Sequence, residues 1–293
     1  MALAIIGVSA VIGCDPGPAP SPDPSFGAGS AARPLDLSSA KAFANSIADS
    51  QVSLSRSENM PDEKLRYRSI EYSTEVFNAG SPEAFTAFIT ISRTVTVYPT
   101  SAASISTAQA HPPTFATPSG RERWMAAGSP ALGSGGSNNI TSLTPGQFSF
   151  VLQGTRLSYQ QASNLSGTPS EFSTQLLSHL RPAARGPDPP ATLVLKQLGY
   201  LVAVAPLSVA AQSAAWHMVG ALPGLEMCGA GTDLSGRHGV GLCVDADGEQ
   251  TEILVNKHTG SVLAIEVRLQ RPSAAYPTVS SGSLILSITF TGA

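Results

Sequence analysis

The sequence predicts an α+β fold in which antiparallel strands form a sheet with helices on one face. Three observations lead there. Period-two alternation rich in β-branched residues occurs in an early and a late block of the chain. Between these blocks lie stretches with helical apolar spacing. No internal period suggests a solenoid. Strands, then helices, then strands within one chain are the pattern of an α+β domain.

Taken in order, Leu35 to Val52 reads as a helix, with Leu37, Ala40, Phe43, Ala44, Ile47 and Ala48 on one face. From Arg66 the pattern becomes a strand, Tyr67, Ser69, Glu71 and Ser73 alternating with Arg68, Ile70, Tyr72 and Thr74. Phe85 to Tyr98 is a second, β-branched strand. Arg121 to Ala126 reads as a third, and Gly128 to Asn139 as a glycine-serine loop. Pro169 near the first turn opens a helix that runs to Leu180. Thr192 to Val204 and Leu207 to Leu222 are two apolar helices separated at Pro206. A meander follows: Leu225 to Cys228, Val240 to Val244, Thr251 to Val255, Val262 to Leu269 and Ser283 to Phe290.

The N-terminus sets the expected compartment. Residues 1–13 form an uncharged apolar run too short to span a bilayer, the length of a signal-peptide core. Val11-Ile12-Gly13-Cys14 resembles a bacterial lipobox, which implies lipid attachment at Cys14 and cleavage just before it. No Lys or Arg precedes the run, which predicts a start codon further upstream. Residues 14–34 are a Pro/Gly/Ser-rich tether, and 35–293 are expected to form one domain. The expected location is extracytoplasmic, anchored to the cell membrane, or secreted if Cys14 carries no lipid.

With Cys14 committed to lipid, two of the three cysteines remain. Cys228 and Cys243 fall symmetrically about the Ser235-Gly236 step, so a symmetric hairpin places them opposite each other within disulfide range. An exported chain would keep that bond.

Ala221-Leu222-Pro223-Gly224-Leu225, Asp233 to Gly241 and Glu252 to Glu266 resemble an uncharacterised family of exported actinobacterial proteins. Arg121-Glu122-Arg123-Trp124 with Gly128-Ser129 resembles that family's Arg-Glu-x-Trp strand and turn, and Thr168 to Phe172 the opening of its central helix. The family is similar in fold to the LolA, LppX and RseB group. That resemblance implies a curved sheet, an incomplete barrel, with helices packed on its concave face. It also implies an apolar hollow for a lipid or lipidated ligand, or a sensor of envelope state. Asn256-Lys257-His258 replaces the family's acidic pair before Thr259, and the Trp124 segment lacks the expected Asp before its glycine.

Chemistry is largely excluded. A net charge of −3 with 13% charged residues speaks against a nucleic-acid partner. There is no Gly-x-Ser-x-Gly elbow, and Gly229-x-Gly231 lacks the third glycine of a dinucleotide loop. His111, His179, His217, His238 and His258 show no metal-ligand spacing; only His238 and His258 could approach Asp245 or Asp247. His217, beside Trp216, reads as structural, and Trp124 reads as core rather than as a recognition face with Arg121 and Arg123. Asn139 and Asn164 match glycosylation sequons by coincidence. The expectation is therefore no enzyme, no cofactor and no metal: a membrane-anchored lipoprotein holding a lipid or apolar ligand. The alternative is a structural or protein-interaction module with a filled core. An apolar pocket of at least ~300 Å³ beneath the helices separates the two.

Overall fold

The computed structural model describes residues 35–53, 64–77, 85–98, 103–115, 117–129, 139–143, 149–152, 155–180, 190–246, 248–269 and 279–291. Residues 1–34, with the expected signal peptide, Cys14 and the expected tether, lie outside the described residues, as does most of the 128–139 segment. Pro34–Ala293 forms one compact unit. The architecture is α+β, with two antiparallel sheets and six helices among the described residues.

The large sheet joins two meanders. The first is β1 (Lys64–Phe77), β2 (Phe85–Tyr98), β3 (Ala103–Ala110) and β5 (Asn139–Leu143), with the two-residue β4 (Thr114–Phe115) added beside β2. The second is β8 (Glu226–Thr232), β9 (His238–Ala246), β10 (Glu249–Val255), β11 (Val262–Leu269) and β12 (Val279–Thr291). They meet where β1 pairs with β12, giving the order β5-β3-β2-β1-β12-β11-β10-β9-β8. The path is open, with β5 and β8 at its ends. A separate hairpin of β6 (Ser149–Leu152) and β7 (Thr155–Ser158), not expected from the sequence, leads into α3 (Tyr159–Ser163).

Helix α5 (Ala191–Val204) lies directly on β9, β10 and β11. Its Leu193, Leu195, Leu198 and Leu201 are buried, as are Leu242, Ile253 and Ile265 on the sheet. A Cβ at Gly199 would stand 2.6 Å from the Ile253 side chain and 3.4 Å from Ile265, so helix and sheet meet there in full contact. Helix α6 (Val209–Gly220), capped by Ser208 Oγ accepting from Ala211 N at 3.1 Å, packs against α5 on one side. Against its other sides lie α1 (Ala40–Ser53) and α4 (Pro169–Leu180). Small Ala211, Ala214 and Ala215 let these helices approach, and Trp216, Phe43, Ile47, Phe172 and Leu176 fill the space between them.

Two expectations are corrected. Arg121–Ala126 is not a strand but most of helix α2 (Pro118–Ala126). Thr117 Oγ1 accepts from Gly120 N at 3.1 Å and Pro118 occupies the first turn, a start signal stronger than the brief alternation of Arg121 to Trp124. The helices are also not all laid on the sheet: α5 is, while α1 and α4 pack on α6 as an outer layer.

Candidate functional site

The two cysteines are joined by a disulfide, with Cα atoms 6.1 Å apart. They are not directly opposite each other. The β8–β9 tip is a five-residue turn, Asp233 to Arg237, closed by Asp233 N donating to Arg237 O and centred on Ser235. Two cysteines 15 residues apart have their midpoint half a residue further on. The ladder absorbs the difference with a bulge between Met227 and Gly229, which makes Cys228 the extra residue; Cys243 stands opposite Glu226.

The other candidates are dispersed. His111 Nε2 lies 2.6 Å from Ser92 Oγ at the sheet surface. His179 ends α4. His217 ties α6 to α1 through Asn45 Oδ1 at 3.1 Å, with Asp49 at 4.0 Å, the structural role expected of it. His238 begins β9 rather than lying in a turn, and its Nδ1 is 2.9 Å from Thr232 Oγ1. His258 sits in the 256–261 turn, its backbone N donating to Asn256 Oδ1. Asp245 accepts from Gln250 Nε2 at 2.8 Å, and Asp247 lies outside the described residues. Among the described residues no cluster of three His, Cys, Asp or Glu can hold a metal. On α2, Arg121 and Arg123 are exposed, while Trp124 is half-buried with its ring 5.4 Å from that of Phe115.

What the fold does assemble is a network on the sheet face turned away from α5. Ile253 and Ile265 point to the helix, so their neighbours Glu252 and Glu266 point the other way, directly opposite each other on β10 and β11. Both are buried, at 4% and 8% exposure. Arg268, two residues past Glu266 on the same face, donates from Nε and Nη2 to Glu266 Oε2 at 2.8 and 2.6 Å. Its Nη1 stands 3.2 Å from Glu252 Oε2 without hydrogen-bond geometry, so charge alone holds that oxygen. Tyr72 completes the set: its hydroxyl donates to Glu266 Oε1 at 2.7 Å. The reach is possible because Gly282 of β12 pairs with Tyr72 on one side and Glu266 on the other, leaving no side chain between them. Leu254, Leu263 and Ala264 form a small apolar cluster beside the network, with Ile70 and Tyr72 against it.

The electrostatics follow from burial. Desolvation pushes the Glu252 carboxyl above its ordinary value; Arg268 opposes this and Glu266 adds to it. Burial, reinforced by the hydrogen bond and charge of Glu266, holds the Tyr72 phenol well above its ordinary value, so it stays a donor. Burial pulls Arg268 down, but the Glu266 hydrogen bond and the two carboxylates outweigh it and leave the guanidinium above its ordinary value. A raised acid contributes stability that is present below its unfolded value, near 4.5 for Glu252, and is lost as pH rises through the folded one. Glu252→Gln should therefore flatten the fall in urea midpoint between acid and neutral pH, while changing stability at neutral pH by less than about 1.5 kcal/mol. An undiminished fall in the variant would contradict the assignment.

None of these four residues stands out in sequence as a site, because charged residues in an alternating strand read as solvated. Position was the available signal, Glu252 and Glu266 flanking the turn at Asn256 to Ser261. A surface recess of about 330 Å³ lined by Ser170, Glu171, Thr174 and Gln175 lies on α4, away from both the network and the α5–sheet interface. Comparison with family models, curated proteins and solved structures finds no match.

Proposed function

We propose that the chain is an extracytoplasmic envelope lipoprotein, held to the membrane through Cys14, whose domain is a structural or protein-interaction module. The observation that carries the module reading is the contact at Gly199, where α5 meets strands β10 and β11 directly, which speaks against an acyl chain lying between them there. The Cys228–Cys243 disulfide supports export, since such bonds persist in oxidising compartments and are rare in the cytosol. It also leaves Cys14 as the single unpaired cysteine of the three, in a lipobox-like context.

The ligand-holding alternative draws on the resemblance to the LolA, LppX and RseB group and on the open strand order, which suits a curved, incomplete barrel. Native mass spectrometry of the protein purified from its membrane fraction separates the two. The module reading expects no lipid beyond the one attached at Cys14; a stoichiometric extra lipid would overturn it. For the anchor, a Cys14→Ser variant should leave the membrane fraction, and its retention there with an unchanged N-terminus would sink the lipoprotein assignment.

A further inference from the structure

The sheet face that carries the Glu252 network continues across β1, β2 and β3 with a different character. Arg66 and Arg68 continue the two-residue spacing of Ile70 and Tyr72 along β1, which puts both arginines on this face, and both are exposed. Arg93, Arg237 and Arg268 each face a carboxylate, whereas Arg66 and Arg68 have no ion-pair partner among the described residues. Around them the register brings hydroxyls: Arg68 pairs with Thr94 and Thr94 with Thr107, while Arg66 pairs with Thr96. The same face of β1, β2 and β3 contains no Asp or Glu; its acids, Glu226, Asp245, Glu252 and Glu266, lie on β8 to β11. Among the residues whose burial is described, the exposed large apolar ones are Leu37, Met125 and Leu234, none of them on these strands. The exposed arginine pair suits charge-mediated contact with a polar anionic surface.

We propose that this face docks on an anionic phospholipid bilayer, with Arg66 and Arg68 meeting headgroup phosphates and the threonine row lying against the headgroup layer. The proposal rests on the membrane-tethered reading above for its geometry. Charge is what selects this face. Two arginines near an anionic leaflet favour it by about 30-fold.

The test couples the mature chain, from Cys14 onward, through its one free thiol to a maleimide lipid in vesicles, so that native lipidation is not required. Vesicles of phosphatidylcholine alone are compared with vesicles containing about 30% phosphatidylglycerol, and phenylglyoxal modification of each arginine is followed by mass spectrometry. Arg121 is the internal control: it is exposed on α2, which packs against Phe85 on the opposite side of the sheet. Arg66 and Arg68 should react several-fold more slowly relative to Arg121 on the anionic vesicles only, and recover in about 0.5 M salt. Equal rates on both vesicles, protection that survives salt, or protection of Arg121 instead would each overturn the proposal. Protection seen only in native envelope fractions would also overturn it, pointing to a protein partner. None of these outcomes depends on whether Cys14→Ser leaves the membrane, so the anchor and the docking face fail separately.

Discussion

Arg268→Met should lower stability by about 2–3 kcal/mol at neutral pH, measured by urea unfolding. Removing one member of a buried ion pair costs about 3–5 kcal/mol because the partner charge is stranded. Arg268 keeps 35% of its side chain in water, so screening trims that figure. The residue matters because Glu252 and Glu266 are directly opposite each other, buried, and share this one cation. Without it, one carboxyl must hold a proton to remain folded. The deficit should therefore shrink as pH falls towards 5 and grow towards 8, since stability tied to a raised acid is lost as pH rises through its folded value. A loss that does not change with pH would mean that the methylene packing of Arg268, rather than its charge, is what the sheet uses.

Replacing both Cys228 and Cys243 by Ala should cost about 3 kcal/mol on the chain-entropy account of a 15-residue loop. For a domain of this size that is a fall of about 10 °C in Tm. The damage should be local in character. β8 pairs only with β9 in the sheet and ends its path, so losing the bond frees an edge strand whose ladder is already interrupted by the bulge at Cys228. Amide exchange should accelerate along β8 while α5 and β10 keep their protection. Uniform acceleration throughout the domain would show that the disulfide supports the whole unit.

How legible these features are in the sequence varies with the range of the interactions behind them. Helix α4 begins at Pro169 and ends at Leu180 as its Thr168-Pro169 start and apolar spacing indicate, and β11 runs Val262–Leu269 as read. Both are set by local chemistry. By contrast β3, with the sequence Ala-Ser-Ile-Ser-Thr-Ala-Gln-Ala, has little intrinsic strand preference and owes its form to pairing with β2 and β5. Arg121–Ala126 reads as a strand in sequence because four residues of alternation obscure the Thr117 cap just upstream. The Glu252 network is illegible for a further reason: the Tyr72–Glu266 hydrogen bond spans 194 residues and needs Gly282 bare between them. The cysteine pairing was legible and its register was not, because a half-residue offset can be resolved only by knowing the turn length.

The β1–β12 seam also fixes an order of assembly. Partners such as Ile70 and Leu284 lie about 200 residues apart in the chain, so the two meanders cannot become one sheet until the last strand is available. Until the seam forms, each meander presents a raw edge there, β1 on one and β12 on the other, open to the wrong neighbour. A chain that is exported before folding meets this problem outside the cytoplasm, where the late hairpin can be cross-linked first and the early strands must wait for it. The vulnerable moment for this protein is thus the interval before the two halves of its sheet find each other.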